Sequence, residues 1–593
     1  MTAADFQAPD APGFRLDPRV IAAFARFAGG YWRGENAIRA WTLTIGLAVA
    51  LLASTAATVA LNQWNRWFFD ALERRDVDSV TQAVFVFALI IAAMAAIGVL
   101  IVLARETLQV RWRAWIVEHL VDRWLGERRF YHLNVSGKEP PNPEYRISDD
   151  TRWATEPLVD LGIGLVLAIA GATAFISILW SVGGSIVVAL GAWGTLTIPA
   201  YMVWVALAYG MIASGLMLWV GAPLVGYVGR KNEAEGYFRF AMMRIRDNAE
   251  SVALMNGGRY EQAILGRFYD TVVARWLAIV WQHGHLTWIT NACGPMKPIV
   301  PLLFLAPKYL SGELTLGQVT QLAAAFVEVQ IAISWVVDNY NRVAEWYASA
   351  RRVMDIVVAC AENDATAATA VAPSHGPAVR LTEFEIADGR GRPLLSGAGF
   401  AAASKEAVHI YGESSTGKST LVRVFAGLWP TAHGAVSVPE RGDIMIAPQK
   451  TYLPLGSLKG ALLYPDPNLE VSDDRLAAAL EKVGLDALVP RLGEVTRWDQ
   501  VLSNGERQRL GIARLAIHRP KAVILDDALS ALDEDTQVAL LAHLRAELPD
   551  AIIVSLAQRP VPPTLHDRQL YLERNGDKSI LRPLATPSMA VAR

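Results

Sequence analysis

The first part of the chain alternates between long apolar runs and polar, arginine-rich stretches. Runs such as LTIGLAVALLASTAATVAL and AVFVFALIIAAMAAIGVLIVL carry almost no charge over about 20 residues, the length that crosses a bilayer. A single run of this kind could be a buried helix of a soluble protein, but several in series favour a membrane protein. The apolar, glycine-rich stretch 182–197 blurs the boundary between the third and fourth runs. The pattern predicts six membrane helices, at residues 38–61, 79–103, 158–181, 198–222, 286–306 and 316–337.

The loops between these helices differ in charge. The second-to-third and fourth-to-fifth loops are rich in arginine, whereas the fifth-to-sixth loop holds a single basic residue, Lys308. Basic loops stay in the cytoplasm, so we expect both termini to be cytoplasmic. The two basic loops also repeat apolar residues at helical spacing, as in RWRAWIVEHLVDRWLGERRFYHL, which predicts that the flanking membrane helices continue well into the cytoplasm.

The pattern changes after Val357. The stretch ACAENDATAATAVAPSHGP has no strong periodicity and is typical of a linker. Short apolar strands, such as AVHIYG, DIMIAP, AVILDD and AIIVSL, then alternate with helical stretches, which predicts a soluble α/β domain. The predicted organisation is a cytoplasmic segment 1–37, a six-helix membrane domain 38–357, a linker 358–377, an α/β domain 378–583 and a tail 584–593.

Composition and charge narrow the function classes. The chain of 593 residues is 53% hydrophobic with a mean hydropathy of +0.26, which the first part supplies. Its net charge of −2 gives no overall field that favours nucleic acid. Cys293 and Cys360 imply no disulfide framework. The N-terminal stretch MTAADFQAPDAPGFRLDP lacks an apolar core, so we expect no cleavable signal peptide.

The strongest chemical motif is GESSTGKST. It matches G-x-x-x-x-G-K-[ST], follows a predicted strand and opens a predicted helix, a context that disfavours a chance glycine-rich turn. Backbone N–H groups at such a helix start face phosphates. Lys418 would reach the β- and γ-phosphates of ATP, and Ser419 would hold Mg²⁺. The predicted nucleotide-binding residues are Gly412, Glu413, Ser414, Ser415, Thr416, Gly417, Lys418, Ser419 and Thr420.

Three further motifs follow. The strand of AVILDD ends in Asp526, a predicted Mg²⁺ ligand. In LSNGERQRL, Ser503 and Gly505 precede a helix and predict a second phosphate-facing N-terminus. Gln449 follows a strand between the first two motifs; an ordinary loop glutamine is the alternative, but this order favours a role at the Mg²⁺ and the reacting phosphate.

The combination and order of these motifs resemble the ATP-binding cassette (ABC) transporter ATPases. GESSTGKST is similar to Walker A, Gln449 to the Q-loop, LSNGERQ to the signature, VILDD to Walker B and SALD to the D-loop. In that family two cassettes sandwich two ATP molecules, and the P-loop of one faces the signature of the other. One cassette and six helices therefore imply a half transporter that works as a homodimer. The signature residues implied to contact ATP are Ser503, Gly505 and Glu506.

The membrane half resembles the SbmA/BacA-type domain. The stretches YWRGENAIRAW, LNQWNRWFFDALERRD, NPEYRISDD and LAPKYLSGELTLGQ carry the similarity. That domain is shared by bacterial peptide importers, a mycobacterial cobalamin and peptide importer, and the peroxisomal fatty-acyl transporters. The resemblance implies an exporter-like fold in a bacterial inner membrane and favours uptake of peptides or another bulky polar solute. Export of acyl lipids is an alternative that the peroxisomal members suggest.

Three positions depart from the cassette pattern. Asp527 stands where the family has a catalytic glutamate, Gln558 where it has a histidine, and Ser415 where glycine is usual. Aspartate is one methylene shorter than glutamate, and a displacement of about 1 Å can cost on the order of 10²-fold in rate. Glutamine can donate a hydrogen bond but cannot titrate. We therefore expect firm ATP binding with slow hydrolysis, in which Asp527, Gln558 and Gln449 are the catalytic positions.

One acidic residue lies within a predicted membrane helix. Glu328 occurs in LAAAFVEVQIAIS, with Gln321 seven residues earlier on the same helical face. Charged groups inside a membrane helix usually mark a pathway, although a structural ion pair is the alternative. Members of the membrane-domain family that lack a cassette are thought to use the proton gradient. A proton-coupled transporter with a regulatory cassette, in which Glu328 carries the proton, is therefore a second hypothesis.

Overall fold

The computed structural model describes residues 17–189, 195–367, 374–387, 393–429, 432–440, 442–560, 565–576 and 578–583. These residues form two compact units. The first comprises the described chain up to Glu127 together with Glu139–Cys360, and the second comprises Arg128–Lys138 and the described chain from Ala361 onwards. The predicted tail 584–593, the first sixteen residues and residues 368–373 of the predicted linker lie outside the described residues.

Helices dominate the chain up to residue 367. They are α1 (Pro18–Ala28), α2 (Ala37–Glu73), α3 (Val77–Leu125), α4 (Arg129–Ser136), α5 (Pro143–Tyr145), α6 (Thr151–Val182), α7 (Tyr201–Gly221), α8 (Leu224–Asp247), α9 (Ala249–Leu254), α10 (Gly258–Cys293), α11 (Met296–Leu310), α12 (Leu316–Asp338) and α13 (Tyr340–Ala367).

Six helical stretches within the described residues are long and apolar enough to cross a membrane, as the sequence predicts. The helices are longer than their apolar runs. Helix α3 continues to Leu125, and α8 and α10 lengthen the fourth and fifth membrane segments, so the predicted helical extensions are present. Helix α13 runs on to Ala367, so the first half of the predicted linker is helical.

Two details differ from the predicted helices. The ambiguous stretch 182–197 contains an antiparallel hairpin of β1 (Ser185–Ala189) and β2 (Thr195–Pro199), whose valines, isoleucines and threonines suit a strand. The predicted helix 286–306 is broken, because α10 ends at Cys293 and α11 begins at Met296. Gly294 and Pro295 occupy the break, and a proline there cannot donate the backbone hydrogen bond that would continue α10.

The interior of the first unit combines apolar packing with a few satisfied polar groups. Phe175, Met202 and Phe326 belong to a buried cluster formed by α6, α7, α11 and α12. Nearer the end of the unit, the fully buried carboxylate of Asp150 accepts hydrogen bonds of 2.8 and 2.7 Å from Arg352. A buried charge is stable only when it is paired in this way.

The second unit is an α/β domain. Its helices after residue 367 are α14 (Lys418–Phe425), α15 (Leu458–Leu463), α16 (Asp473–Lys482), α17 (Trp498–Val501), α18 (Asn504–His518) and α19 (Glu534–Glu547). Its strands are β3 (Ser374–His375), β4 (Val379–Ala387), β5 (Pro393–Ala402), β6 (Ala407–Gly412), β7 (Ala432–Val438), β8 (Ile444–Ala447), β9 (Gly456–Ser457), β10 (Val495–Thr496), β11 (Ala522–Asp526), β12 (Ile552–Ala557), β13 (Arg568–Asn575) and β14 (Lys578–Pro583).

The main sheet of this unit has the strand order β3-β7-β4-β5-β14-β13-β6-β12-β11-β8. Strands β6, β12, β11 and β8 are neighbours and run parallel, and they are almost continuously apolar because both faces are covered. Their carboxyl ends meet at one edge of the sheet, the usual place for a ligand in such folds. The P-loop, Gln449, Asp526 with Asp527, and Gln558 lie at these carboxyl ends, whereas the signature residues begin α18.

Candidate functional site

The loop after β6 has the backbone conformation of a phosphate cradle. Ser415 and Gly417 have φ angles of +66° and +94°, and α14 begins directly afterwards. A Cβ atom on Gly412 would lie 2.7 Å from the carbonyl oxygen of Leu572, so glycine is required there. The serine at 415 adopts a conformation that glycine adopts without strain, at a cost of about 1–3 kcal/mol. The loop therefore keeps its shape in spite of the substitution.

Lys418 lies over this loop. Its Nζ donates hydrogen bonds of 2.7 Å to the carbonyl oxygens of Gly412 and Glu413, and only 7% of the residue is exposed. Thr416 Oγ1 also donates to the Glu413 carbonyl, at 2.8 Å. Burial lowers the pKa of Lys418, while the carboxylates of Asp527 and Asp526 act in the opposite direction. The ammonium group is thus held at the place where ATP phosphates would need it.

A magnesium-binding pair lies beside the lysine. Ser419 Oγ donates a 3.2 Å hydrogen bond to Asp526 Oδ1, which joins the first turn of α14 to the end of β11. Burial raises the pKa of Asp526, Asp527 raises it further, and the hydrogen bond from Ser419 opposes both. Hydroxyl and carboxylate oxygens are the ligands that Mg²⁺ accepts together with substrate phosphates. The described residues contain no cluster of three or more His, Cys, Asp or Glu that could hold a metal, so this pair would depend on phosphate and water for the remaining ligands.

The two unusual residues of the site contact each other. Asp527 has a φ of +49°, and its N–H donates to the Leu556 carbonyl at 2.8 Å, which fixes its backbone against β12. Gln558, just after β12, donates from Nε2 to Asp527 Oδ2 at 3.4 Å. The sequence singled out these residues separately, and the structure brings them together at the edge that holds Lys418 and Asp526.

The signature stretch begins α18 with a capping box. Ser503 Oγ accepts from the Glu506 N–H at 3.3 Å, and Glu506 Oε2 accepts from the Ser503 N–H at 2.8 Å. Hydrogen bonds from Ser503 hold the pKa of Glu506 below its usual value. The arrangement fixes the N-terminus of α18, which carries Gly505 in its first turn.

Comparison with known proteins decides the family. The family described as ABC transporter transmembrane region 2 matches residues 34–310, and the family described as ABC transporter matches residues 395–530. The chain is an ABC transporter chain, with a membrane region fused to one cassette. Both the predicted resemblance and the predicted fold class are confirmed.

Several ABC proteins are similar over nearly the whole chain. The inner membrane ABC transporter ATP-binding protein YddA of Escherichia coli (strain K12) is 27% identical over 91% of this chain and 95% of its own. The lysosomal cobalamin transporter ABCD4 of Mus musculus is 24% identical over 96% of this chain and 97% of its own. The solved structure of a bacterial Atm1-family ABC exporter with ATP bound has a TM-score of 0.70 and 18% identity, and covers 91% of this chain and 95% of its own. That likeness shows the fold alone.

Gln508 of the signature helix connects three motifs of the cassette. Its Nε2 donates to the Gln449 carbonyl at 3.2 Å and lies 3.4 Å from Ser530 Oγ, while its Oε1 accepts from the Ala531 N–H at 2.9 Å. The residue is buried, whereas the side chain of Gln449 is exposed. Gln508 lies within the signature, but the sequence pattern predicted no role for it. The signal was a polar residue in a helix whose buried residues are apolar apart from Gln508 and Arg514.

A short piece of the membrane region belongs to the cassette unit. The residues Arg128–Lys138, which contain α4, follow α3 after a turn in which Glu127 and Arg128 both have positive φ. Arg128 Nη1 donates to the carbonyl oxygen of Ala426, the C-cap of the P-loop helix α14, at 2.5 Å. Arg129 Nε donates to Asp364 Oδ1 at 2.6 Å. The chain that leaves α3 is therefore attached to the end of the helix that begins with Lys418.

The two predicted pathway residues have different surroundings on α12. Gln321 is buried, and its backbone carbonyl accepts a 3.0 Å hydrogen bond from Asn62 Nδ2. Glu328 is partly exposed, and no ion pair or hydrogen bond joins its carboxylate to another described residue. The internal ion pair considered as an alternative for Glu328 is thus not formed within the described part of this chain.

Proposed function

We propose that the protein is a homodimeric, ATP-driven transporter of a bacterial inner membrane that imports peptides or other bulky hydrophilic solutes. The observation that carries the proposal is the intact set of Lys418, Ser419 and Asp526 at the carboxyl ends of β6 and β11, two parallel strands on either side of β12. ATP with Mg²⁺, when bound there, supplies the energy of phosphoryl transfer. We also propose cytoplasmic N- and C-termini, since the longest basic loops lie on that side.

Two features support a slow ATPase. Asp527 is fixed by its backbone hydrogen bond to Leu556, so its short side chain cannot move forward to the place of a glutamate carboxylate. Gln558 donates one of its amide hydrogens to Asp527, so that hydrogen is not available to a phosphate. Both residues remain able to orient water and phosphate by hydrogen bonds, which supports reduced rather than abolished hydrolysis.

The proposed coupling runs through α4. Its segment contacts the end of α14 through Arg128 and continues into α3 through the chain itself. A movement of the P-loop helix is thereby passed to a membrane helix of 49 residues. The solute class rests on the SbmA/BacA-type resemblance, and the name of ABCD4, a cobalamin transporter, is compatible with a bulky polar solute. The exporter fold itself does not set the direction.

Proton coupling is the second candidate function, since Glu328 is a partly exposed carboxylate without a partner in the described chain. In that case the cassette would regulate transport, and Glu328 would carry the proton. The same experiment separates the two candidates, because Lys418 and Glu328 belong to different units.

The test is uptake into proteoliposomes of labelled cobalamin and of a labelled mixed-sequence peptide, with Mg-ATP on the cassette side, with and without a protonophore. We expect Lys418→Ala to abolish uptake, Glu328→Gln to retain it, and the protonophore to have no effect. Full uptake by Lys418→Ala together with collapse in Glu328→Gln would establish proton coupling instead. Absence of uptake of both probes alongside normal ATP turnover would refute the proposed solute class.

A further inference from the structure

The membrane unit contains an apolar pocket that is separate from the proposed nucleotide site, the α4 segment and Glu328. It has a volume of about 560 Å³ and lies between α1, α2, α3 and α6, with one wall residue from α13. Small-molecule sites usually measure about 300–1,000 Å³, so the pocket is large enough for a ligand. Its wall includes Phe24, Leu47, Leu51, Trp112, Gly162 and Trp346.

The three tryptophans of the wall present only apolar surface to the pocket. Trp32 Nε1 donates to Thr44 Oγ1, Trp112 Nε1 to the Ala28 carbonyl and Trp346 Nε1 to the Ala154 carbonyl, each at 3.0 Å. Their N–H groups are therefore already paired within the protein. An occupant with polar groups would lose its hydrogen bonds to water without replacement, whereas a hydrocarbon chain would not.

Helix α1 separates this pocket from a basic surface. Its residues Ile21, Phe24, Ala25 and Ala28 line the pocket at helical spacing, which places Arg19 and Arg26 on the opposite face. A helix with one apolar and one basic face lies in the interface of a membrane, at the level of the lipid headgroups. The pocket therefore opens where lipid chains and headgroups meet.

Four exposed arginines accompany α1 and the chain after it. None of them forms an ion pair with another residue of the described chain. Unpaired cations at this level attract anionic lipid headgroups. The four residues are Arg19, Arg26, Arg33 and Arg39.

We propose that this pocket binds one acyl chain of an anionic phospholipid, whose headgroup contacts the arginines beside α1. The apolar wall accounts for the chain, and the net positive charge of residues 17–39, four arginines against Asp17 and Glu35, accounts for the anionic headgroup. The lipid is a bound component of the membrane region and not the transported solute. Binding of this lipid depends neither on which solute is transported nor on which energy source drives transport.

Gly162 and Gly171 provide a matched pair of substitutions on α6. A Cβ atom on either glycine meets no atom within 4 Å, but only Gly162 lines the pocket. Gly162→Leu therefore fills the pocket, while Gly171→Leu adds the same side chain elsewhere on the same helix. If Gly162→Leu does not fold, Ala25→Leu fills the pocket from the opposite wall.

The experiment is native mass spectrometry of the full-length protein released from bilayers of phosphatidylglycerol and phosphatidylcholine. We expect wild type and Gly171→Leu to retain phosphatidylglycerol, and Gly162→Leu to retain about tenfold less, because leucine takes the space of several methylene groups. Replacing the four arginines by glutamine should remove the preference for phosphatidylglycerol over phosphatidylcholine while lipid is still retained.

Three results would overturn the inference. The first is retention of equal amounts of phosphatidylglycerol by Gly162→Leu and Gly171→Leu. The second is a wild type free of lipid, as expected if a second copy of the chain covers the pocket. The third is displacement of phosphatidylglycerol by added palmitate, which would make a free fatty acid the occupant.

Discussion

Asp527 and Gln558 act as a pair, because the amide of one donates to the carboxylate of the other. At these two positions the family has a glutamate, which is a longer acid, and a histidine, whose ring titrates. Aspartate and glutamine preserve the hydrogen-bonding character of both positions but shorten one side chain and remove a proton-accepting group from the other. Because the two side chains are in contact, we expect the effects of restoring them to depend on each other.

We predict that Asp527→Glu raises kcat for ATP hydrolysis and that Asp527→Glu with Gln558→His raises it most. The added methylene moves the carboxylate by about 1 Å, a distance that is worth up to about 10²-fold in rate. Phosphate release at saturating Mg-ATP measures the change. Asp526→Asn serves as the control and should lose activity, since it removes the proposed Mg²⁺ ligand. An unchanged or lower kcat in the double variant would mean that this site has a catalytic geometry of its own.

A second residue-scale feature is the buried chain of His409, Ser555 and His566. His409 Nε2 lies 3.1 Å from the Arg559 carbonyl and must donate to it, so Nδ1 accepts from Ser555 Oγ at 3.0 Å. Ser555 Oγ in turn accepts from His566 Nε2 at 2.6 Å. His566 Nδ1 then has a lone pair and no partner among the described residues, and a proton there would be buried without an acceptor. Both histidines are neutral in this arrangement.

Stability should therefore fall in mild acid. Burial lowers the pKa of His566 to about 3, and His409 adds to the effect. Below about pH 6.5 His566 binds a proton in the unfolded chain but not in the folded chain. The free energy of unfolding therefore falls as the pH is lowered from there towards 3, by at most about 1.4 kcal/mol per pH unit for this group. We predict that the thermal midpoint of the full chain drops between pH 7.5 and 5.5, and drops less in His566→Gln.

The control for this measurement is His543→Gln, on a partly exposed position of α19. It should retain the pH dependence of wild type. Equal pH dependence of wild type and His566→Gln would show that the buried histidines do not contribute.

At the scale of the elements, strong and local signals were sufficient for much of the structure. Six long apolar runs predict six helices because a bilayer requires about 20 residues, and the strands before each nucleotide motif are short, apolar and flanked by turns. The β1–β2 hairpin was missed because its residues are as apolar as a membrane helix. The contacts of Gln508, the pairing of Asp527 with Gln558 and the docking of α4 join residues far apart in sequence, which no local pattern records.

Helix α18 is the element on which the cassette motifs converge. Gln508 holds the Q-loop carbonyl of Gln449 and the D-loop N–H of Ala531 at the same time. We predict that Gln508→Leu lowers kcat for ATP more than it changes KM, because the binding residues Lys418 and Ser419 are untouched. The loss of the hydrogen bond from the Ala531 N–H should also cost about 0.5–1.5 kcal/mol of stability.

Gln500→Leu, at an exposed position on α17, is the matched control and should change neither quantity. Steady-state kinetics and a thermal midpoint measure both effects. A lower thermal midpoint with an unchanged kcat would show that Gln508 has only a structural role.

The whole molecule combines a membrane region and an ATP-binding unit in one chain. Residues Arg128–Lys138 pack with the cassette unit although they lie in sequence between two membrane helices. Within that unit, Arg128 donates a hydrogen bond to the carbonyl oxygen of Ala426, where α14 ends. A proton-coupled transporter would not need this contact, which is a reason to prefer ATP as the driving force.

The most direct measurement is ATP turnover by the full-length protein in liposomes, for wild type and Lys418→Ala. Lys418 is buried, paired with the P-loop carbonyls and adjacent to the Mg²⁺-binding pair. If ATP drives transport, wild type should release phosphate slowly but measurably, and this release should require Mg²⁺. Lys418→Ala should release none. Wild type without turnover, or Lys418→Ala with the turnover of wild type, would contradict it.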